Sequence, residues 1–313
     1  MALRASIDLG TNTCLLLVAE VSTPTVSGIR VQEDLSTIVR LGQGVDGARK
    51  LHPDAIARTL ECLKAYSAQV KAHGINPGDV VAVATSQARD AKDGAEFFAR
   101  VKSETGFEFK TLTGQQEAEA TFKGALLPEM DPRTSRVIDI GGGSTEWTRD
   151  PSLLDLPLDS RAISLDLGSV RFTERYFGKD PQGAAQDEDF WSCQDAIDLE
   201  LQKVSPSRVG EHLVACAGTA TTLASLHLAL PRFQREAIDG CLLTRGDLHR
   251  MVEELKWRNL AEKRAMPGME EKRADVILAG AMILWRSMEV LGYKELTVST
   301  RGLRYGVLLM PST

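Results

Sequence analysis

The sequence predicts an α/β protein built from two related halves. Three observations carry that expectation. Segments of strand composition alternate with segments of helical period along the chain. The N-terminal stretch Ile7-Asp8-Leu9-Gly10-Thr11-Asn12-Thr13 returns in kind as Ile138-Asp139-Ile140-Gly141-Gly142-Gly143-Ser144, with Asp8 and Asp139 standing 131 residues apart. That interval is too long for a solenoid repeat and suits a duplicated domain. The chain has 313 residues, 43% hydrophobic and 26% charged, enough for two domains with substantial cores.

The elements follow in order. Residues 5–9 and the apolar run Cys14 to Val18 form a hairpin, the run being too short for a helix. Ile29 to Leu41 is a third strand, and Pro53 to Ala72 a helix with apolar residues at helical spacing and proline at its start. Val80 to Ala84 reads as a buried strand, Asp93 to Thr105 as a helix, Phe107 to Leu112 as a strand and Gly114 to Leu127 as a helix. The second half repeats the opening hairpin with strands at 136–140 and 144–149, then a strand near 161–165. Helices near 169–177 and 187–204, a strand His212 to Cys216 and a helix Thr219 to Leu230 come next. Helices at 246–257 and 272–291, a strand at 295–299 and a helix at 302–309 finish the chain.

Composition excludes several classes. No apolar run is long enough to span a bilayer, and the N-terminus lacks a basic-then-apolar signal pattern, so the expected location is cytoplasmic, with no membrane partner. Five cysteines are scattered without a CxxC pair and the histidines show no HxxxH spacing, which argues for reduced thiols and against zinc. A net charge of -6 disfavours nucleic acid, so an anionic substrate needs a local patch of donors.

The duplicated turns supply such donors. Glycine lets backbone N–H groups approach a ligand, and a turn with its N–H groups facing inward forms an anion-binding nest. Thr11, Thr13, Ser144 and Thr145 add hydroxyls, so Gly10 to Thr13 and Gly141 to Thr145 are candidate phosphate grips. Asp8, Asp139 and Glu146 would repel a bare phosphate but suit a Mg²⁺ ion placed between, which takes a few carboxylates with phosphate oxygens and water. A glycine-rich hairpin without a ligand is the competing reading, weakened by the matched pair. A third glycine, Gly218, sits with Thr219 where a strand meets a helix. It fits either an anion site or an ordinary helix cap. Gly42 to Gly47 matches GxGxxG, but the next helix starts only at Pro53, so it is not a dinucleotide fingerprint, and no P-loop motif occurs. Lys256 to Arg273 mixes both charge signs and reads as a solvated helix face and loop.

Asp-Leu-Gly-Thr-Asn-Thr, Asp-Ile-Gly-Gly-Gly-Ser-Thr-Glu and Ala-Gly-Thr, in this order, resemble the glycine loops of the actin/hexokinase/Hsp70-like superfamily. More narrowly, the chain resembles the exopolyphosphatase/guanosine pentaphosphatase (Ppx/GppA) family. Ala84 to Ala91, Thr113 to Ala118, Arg273 to Gly280 and Gly302 to Leu308 carry that match. The resemblance implies two actin-like (ribonuclease H-like) domains with mixed sheets flanked by helices and an active site in the interdomain cleft. Domain I would be residues 1–124 plus 301–313 and domain II residues 125–300. It implies Mg²⁺-dependent hydrolysis of a terminal phosphate from inorganic polyphosphate or pppGpp, and a homodimer.

By position, the resemblance makes Glu117 the catalytic carboxylate and Arg89 a phosphate contact. The family pattern Gly-x-Glu-Glu-Ala reads Gly114-Gln115-Gln116-Glu117-Ala118 here, which leaves one acid. Ser-Asp-x-Gly-Leu-Arg-Glu-Gly reads Ser299-Thr300-Arg301-Gly302-Leu303-Arg304-Tyr305-Gly306, with the acid lost and a cation gained. Arg301 and Arg304 then either guide a polyanion or are solvated charges at a helix start. Longer relatives carry a C-terminal HD-type domain, and a channel supplied by it is not expected in a chain ending at Thr313. Exopolyphosphatase is the leading reading, with pppGpp or nucleotide phosphohydrolase as its neighbour. An actin-like ATPase or kinase and a catalytically silent polyanion sensor belong to other classes.

Overall fold

A computed structural model describes residues 2–85 and 91–310. Arg89 and the stretch 86–90 lie outside the described residues. The chain divides into two compact units, Met1–Gly124 with Gly302–Thr313, and Ala125–Arg301. Each is built on one mixed sheet.

In the first unit β1 (Ala2–Leu9), β2 (Thr13–Val21) and β3 (Ile29–Ile38) form an antiparallel meander, and β4 (Val81–Ala84) and β5 (Phe109–Thr111) extend it parallel to β1, in the order β3-β2-β1-β4-β5. In the second unit β6 (Ser135–Ile140), β7 (Thr145–Arg149) and β8 (Ala162–Leu165) repeat the meander, with β9 (His212–Cys216) and β11 (Glu295–Val298) parallel to β6. A further strand, β10 (Leu242–Thr244), caps the edge antiparallel to β11. Without it the second sheet has the topology of the first, so the sequence echo is a duplicated sheet. Strand β10 has three residues and was not expected from the sequence; so short a segment carries no periodicity.

The apolar run in β2 follows from its central place. Cys14, Leu16 and Val18 pack into the cluster under α1 (Pro53–Ala72) and α2 (Gly94–Thr105), while Leu17 and Ala19 pack against Tyr305 and Leu308 of the C-terminal helix. Successive side chains point to opposite faces, and both faces are covered, so neither can be polar. On the C-terminal-helix side, α3 (Gly114–Ala125) meets that helix through glycine. A Cβ on Gly306 would overlap the Ala120 carbonyl, and one on Gly124 the Gly302 carbonyl.

The second core lies between its sheet and the helices α5 (Asp187–Leu201), α7 (Arg245–Trp257) and α9 (Ile277–Leu291). Helix α9 begins five residues later than expected, because residues 271–273 form a 3₁₀ turn. The helix expected near 169–177 is α4 (Ser169–Phe172) running into a π turn, Thr173–Phe177. Helix α6 (Ala217–His227) follows β9, α8 (Leu260–Arg264) follows α7, and α10 (Leu303–Leu309) ends the chain. No helix among the described residues is long and apolar enough to cross a membrane.

Two expectations about charges are corrected. Lys256 is not solvated: its ammonium lies over the rings of Phe190, Trp191 and Trp257 and 2.8 Å from Asp187. Lys263 is buried too. Their long stems cover apolar surface, which a charge count along the sequence does not register. Arg304 is neither solvated nor a polyanion guide. Its guanidinium forks onto Asp34 at 2.9 and 3.0 Å, and its carbonyl accepts from Ser6.

Candidate active site

Candidate residues gather at the carboxyl ends of the parallel strands of each sheet, where open α/β sheets bind ligands. In the first unit β1 ends in the Gly10–Thr13 turn, and β5 leads into α3, whose first turn carries Glu117. In the second unit β6 ends in the Gly141–Ser144 turn, β9 in Ala217 and Gly218, and β11 in Ser299 to Arg301.

The second turn is held from behind. The Gly141 carbonyl accepts from Ser169 N–H, the Gly142 carbonyl from the Val170 and Arg171 N–H groups at 2.9 and 3.0 Å, and the Gly143 carbonyl from Arg171 Nε at 2.7 Å. In a planar trans peptide the following N–H points opposite to the carbonyl. Pinning these three carbonyls toward α4 therefore turns the Gly142, Gly143 and Ser144 N–H groups the other way. Gly168 permits the clasp, since a Cβ there would overlap the Gly142 carbonyl oxygen. Thr145 faces the clasp too, its hydroxyl donating to the Leu167 carbonyl.

The first turn is held by the same device. The Asn12 carbonyl accepts from the Val39 and Arg40 N–H groups at 3.0 and 2.9 Å, and the Thr11 carbonyl from Gly42 N–H at 2.8 Å. The Asn12 and Thr13 N–H groups accordingly face away from that clasp. In both units the clasp is the segment after the third strand of the meander. Gly42, which heads the misleading GxGxxG run, thus has a structural task. Asn12 is buried, and among the described residues its Nδ2 has no hydrogen-bond partner. Neither Gly10 nor Gly141 has a positive φ, and the nearest atom to a Cβ on Gly10 would be Thr13 O at 3.4 Å. Among the described residues nothing requires glycine at position 10, so the entropy it costs is consistent with close approach by a ligand.

The acids are arranged unequally. Asp139 on β6 is directly opposite Glu146 on β7, and Glu146 opposite Ser164 on β8. Cross-strand partners share a face, so two carboxylates sit side by side. Ser164 donates to Glu146 at 2.7 Å, and Glu146 is 2% exposed. In the first sheet Asp8 is opposite Leu15, so the echo preserves one acid and not the pair. Among the described residues no three His, Cys, Asp or Glu side chains form a ready-made metal cage. Two carboxylates fit a hard cation such as Mg²⁺, which keeps water and phosphate oxygens as its other ligands.

Glu117 is 6% exposed, unlike a solvated first-turn acid. Thr113 and Gln116 cap its helix reciprocally: Gln116 Oε1 accepts from Thr113 N–H at 3.0 Å, and Thr113 Oγ1 from Gln116 N–H at 3.2 Å. Glutamate and glutamine serve equally at this place in a capping box. The departure from the family pattern at Gln116 therefore falls on a capping position.

The third turn is the most crowded. Ala217 takes a left-handed conformation, φ 65°, uncommon for a residue with a Cβ. A Cβ on Gly218 would overlap the Arg273 guanidinium, which bonds Glu270 at 2.6 Å. Thr219 packs against Gly280 of α9. Arg301 Nε lies 3.5 Å from Asp239 Oδ2, and Asp239 also accepts from Thr300 N–H at 2.8 Å. Asp239 thus supplies from another element the acid missing from the C-terminal motif. Arg171, Gly168 and Arg273 belong to the site without having been singled out. Arg273 heads a stretch that carries the resemblance, whereas Arg171 and Gly168 had no signal in the sequence.

Comparison with known proteins bears on the fold and the family. The Ppx/GppA phosphatase family model matches residues 22–311. Exopolyphosphatase 2 of Mycobacterium tuberculosis is 33% identical over 97% of both chains. A bifunctional 3-dehydroquinate synthase/phosphatase of Fusobacterium nucleatum is 32% identical over 98% of this chain, which spans 46% of that relative's length. An exopolyphosphatase from Cytophaga hutchinsonii superposes with a TM-score of 0.83 at 25% identity, covering 98% of this chain and 96% of its own. A Ppx/GppA family member from Aquifex aeolicus superposes with a TM-score of 0.75 at 29% identity, covering 98% and 96%. The chain belongs to the Ppx/GppA phosphatase family.

Proposed function

We propose that this protein is an exopolyphosphatase, removing the terminal phosphate of inorganic polyphosphate in a Mg²⁺-dependent hydrolysis. The observation that carries the reading is the clasped turn Gly141–Ser144 beside the Asp139/Glu146 pair. It offers main-chain donors for phosphoryl oxygens next to carboxylates for a cation. The relative named Exopolyphosphatase 2, alike over essentially its whole length, supports the substrate class.

In this reading the turns 10–13 and 141–145, through the Asn12, Thr13, Gly142, Gly143 and Ser144 N–H groups, with Asn12 Nδ2 and Arg89, hold successive phosphoryl groups. Gly218, Thr219 and Arg301 border them. Asp139 and Glu146, with Asp8, hold Mg²⁺, which when bound offsets phosphate charge and polarises the phosphoryl oxygens. Glu117 orients a water and accepts its proton. The water oxygen bonds the terminal phosphorus, the bridging P–O bond breaks, and the chain leaves one phosphate shorter.

Phosphate release is to be measured on long polyphosphate, pppGpp, ATP and ADP, with Mg²⁺ and with EDTA. Long polyphosphate should show the highest kcat/KM, and EDTA should abolish turnover. A higher kcat/KM for pppGpp would move the assignment to a nucleotide phosphohydrolase. Tight ATP binding without polyphosphate hydrolysis would favour an ATPase or kinase, and polyphosphate binding without turnover a sensor.

A further inference from the structure

One row of side chains across each sheet sets the two units apart. In the second sheet Asp139, Glu146 and Ser164 stand opposite one another on β6, β7 and β8. The matching row of the first sheet is Asp8, Leu15 and Ser36 on β1, β2 and β3. The rows agree at both ends and differ in the middle. Of the two, the second alone puts a carboxylate opposite the edge-strand serine.

Ser164 holds an exposed position on that edge strand, yet its hydroxyl turns inward and donates to Glu146 Oε1 at 2.7 Å. Glu146 is 2% exposed, so bulk water competes little with that hydroxyl. The bond has two effects on a carboxylate that is to hold a cation. It fixes the plane of a long side chain whose rotamers are otherwise free to vary. It also draws on the charge of Oε1, which favours coordination through Oε2 over coordination through both oxygens. The two common hard cations differ in what they ask of a carboxylate. Mg²⁺ demands a small octahedral shell that suits one oxygen from each ligand. Ca²⁺ is larger, takes about six to eight oxygens and readily accepts both oxygens of one carboxylate.

We infer that Ser164 is a positioning residue that holds Glu146 to coordination through a single oxygen and thereby favours Mg²⁺ over Ca²⁺. The inference rests on the reading of Asp139 and Glu146 as ligands of the cation.

The probe is Mn²⁺, followed by electron paramagnetic resonance on the whole protein, with Mg²⁺ and Ca²⁺ as competitors. The readout is the ratio of the Ca²⁺ to the Mg²⁺ dissociation constant, and it needs no turnover. In the parent, Mg²⁺ should displace Mn²⁺ at a lower concentration than Ca²⁺ does. Ser164→Ala should weaken Mg²⁺ about 10- to 100-fold, as for loss of an outer hydrogen bond to a metal ligand. It should weaken Ca²⁺ much less, so the ratio falls at least about 10-fold. Ser164→Thr keeps a hydroxyl, and Ser164→Val has the same shape without it. The first should preserve the parent's ratio and the second should match Ser164→Ala, which keeps the test decisive should the smaller side chain disturb the edge strand. An unchanged ratio in Ser164→Ala and Ser164→Val, with Mn²⁺ binding lost in Glu146→Gln, would overturn this inference and leave the cation site standing. A ratio lost equally in Ser164→Thr, or a parent that prefers Ca²⁺, would overturn it as well. Mn²⁺ binding unaffected by both Asp139→Asn and Glu146→Gln, or no saturable Mn²⁺ binding by the parent, would overturn the inference together with the cation reading.

Discussion

Single residues decide the chemistry, and Glu117 is the sharpest case. A carboxylate in the first turn of a helix is ordinarily placed in water, where it favours the helix dipole at little cost. Burial removes that simple account, and the proposed reading gives Glu117 the attacking water. Glu117→Gln keeps shape and hydrogen bonding but cannot accept the proton. It should lower kcat by about 10²–10⁴-fold with KM little changed, measured by phosphate release under saturating Mg²⁺. A near-normal kcat would remove Glu117 from the mechanism. The Asp139/Glu146 pair makes a different demand. Asp139→Asn or Glu146→Gln should raise the Mg²⁺ concentration needed for half-maximal rate by at least about 10-fold and leave the fold intact by circular dichroism. An unchanged Mg²⁺ titration in both variants would place the cation elsewhere. The two turns and the acids Asp8 and Asp139 could be read from the sequence because they recur 131 residues apart. Glu146, by contrast, has no counterpart in the first sheet, and Glu117 was named by the resemblance. Arg171 and Gly168 could not be read, because their task is to hold carbonyls of a turn some 25 residues back, and only folding brings them there.

Elements convert those residues into fixed geometry. Helix α3 carries Glu117 at one end and meets α10 near the other. The two backbones approach so closely that Gly306 has no room for a methyl group beside the Ala120 carbonyl. Backbone cannot yield as a flexible side chain can, so Gly306→Ala must push α3 from its seat. Overpacking of this kind costs about 1–3 kcal/mol. The variant should show a lowered thermal midpoint together with a fall in kcat, since small misplacements of a reacting group are expensive. Gly124→Ala, against the Gly302 carbonyl on the same contact, should behave alike. Normal stability and rate in both would mean that the α3–α10 contact does not position Glu117. At this scale most strands and long helices could be read from apolar runs and helical spacing. The exceptions are physical. Strand β10 has three residues, and the 3₁₀ turn before α9 and the π turn after α4 leave the apolar spacing nearly unchanged.

The whole molecule divides its stability between two cores, and the second has a buried charge network that ties its stability to pH. Arg149 forks onto Glu211 at 2.6 and 3.0 Å, Tyr293 donates to the same carboxylate at 2.5 Å, and Arg136 reaches Tyr293 at 3.4 Å and stacks over Trp147. Arg149 and Glu211 are nearly inaccessible. Burial alone would raise the Glu211 carboxyl, but hydrogen bonds from Arg149 and Tyr293 and the nearby guanidinium charges hold it below its usual range. A depressed acid contributes stability above its unfolded pKa of about 4.3 and loses that contribution as pH falls through the lower folded value. Removing the charge leaves two buried guanidinium groups without their carboxylate, a change that costs about 3–5 kcal/mol. Glu211→Gln should therefore be less stable than the parent at pH 7 by about that amount. As the parent's carboxyl protonates it becomes nearly isosteric with the amide, so the difference should shrink steadily below about pH 4. All four tryptophans (Trp147, Trp191, Trp257 and Trp285) belong to the second unit, so tryptophan fluorescence during urea unfolding follows that unit by itself. A stability gap between parent and variant that stays constant from pH 7 down to pH 3 would show that Glu211 is not the group through which acid acts.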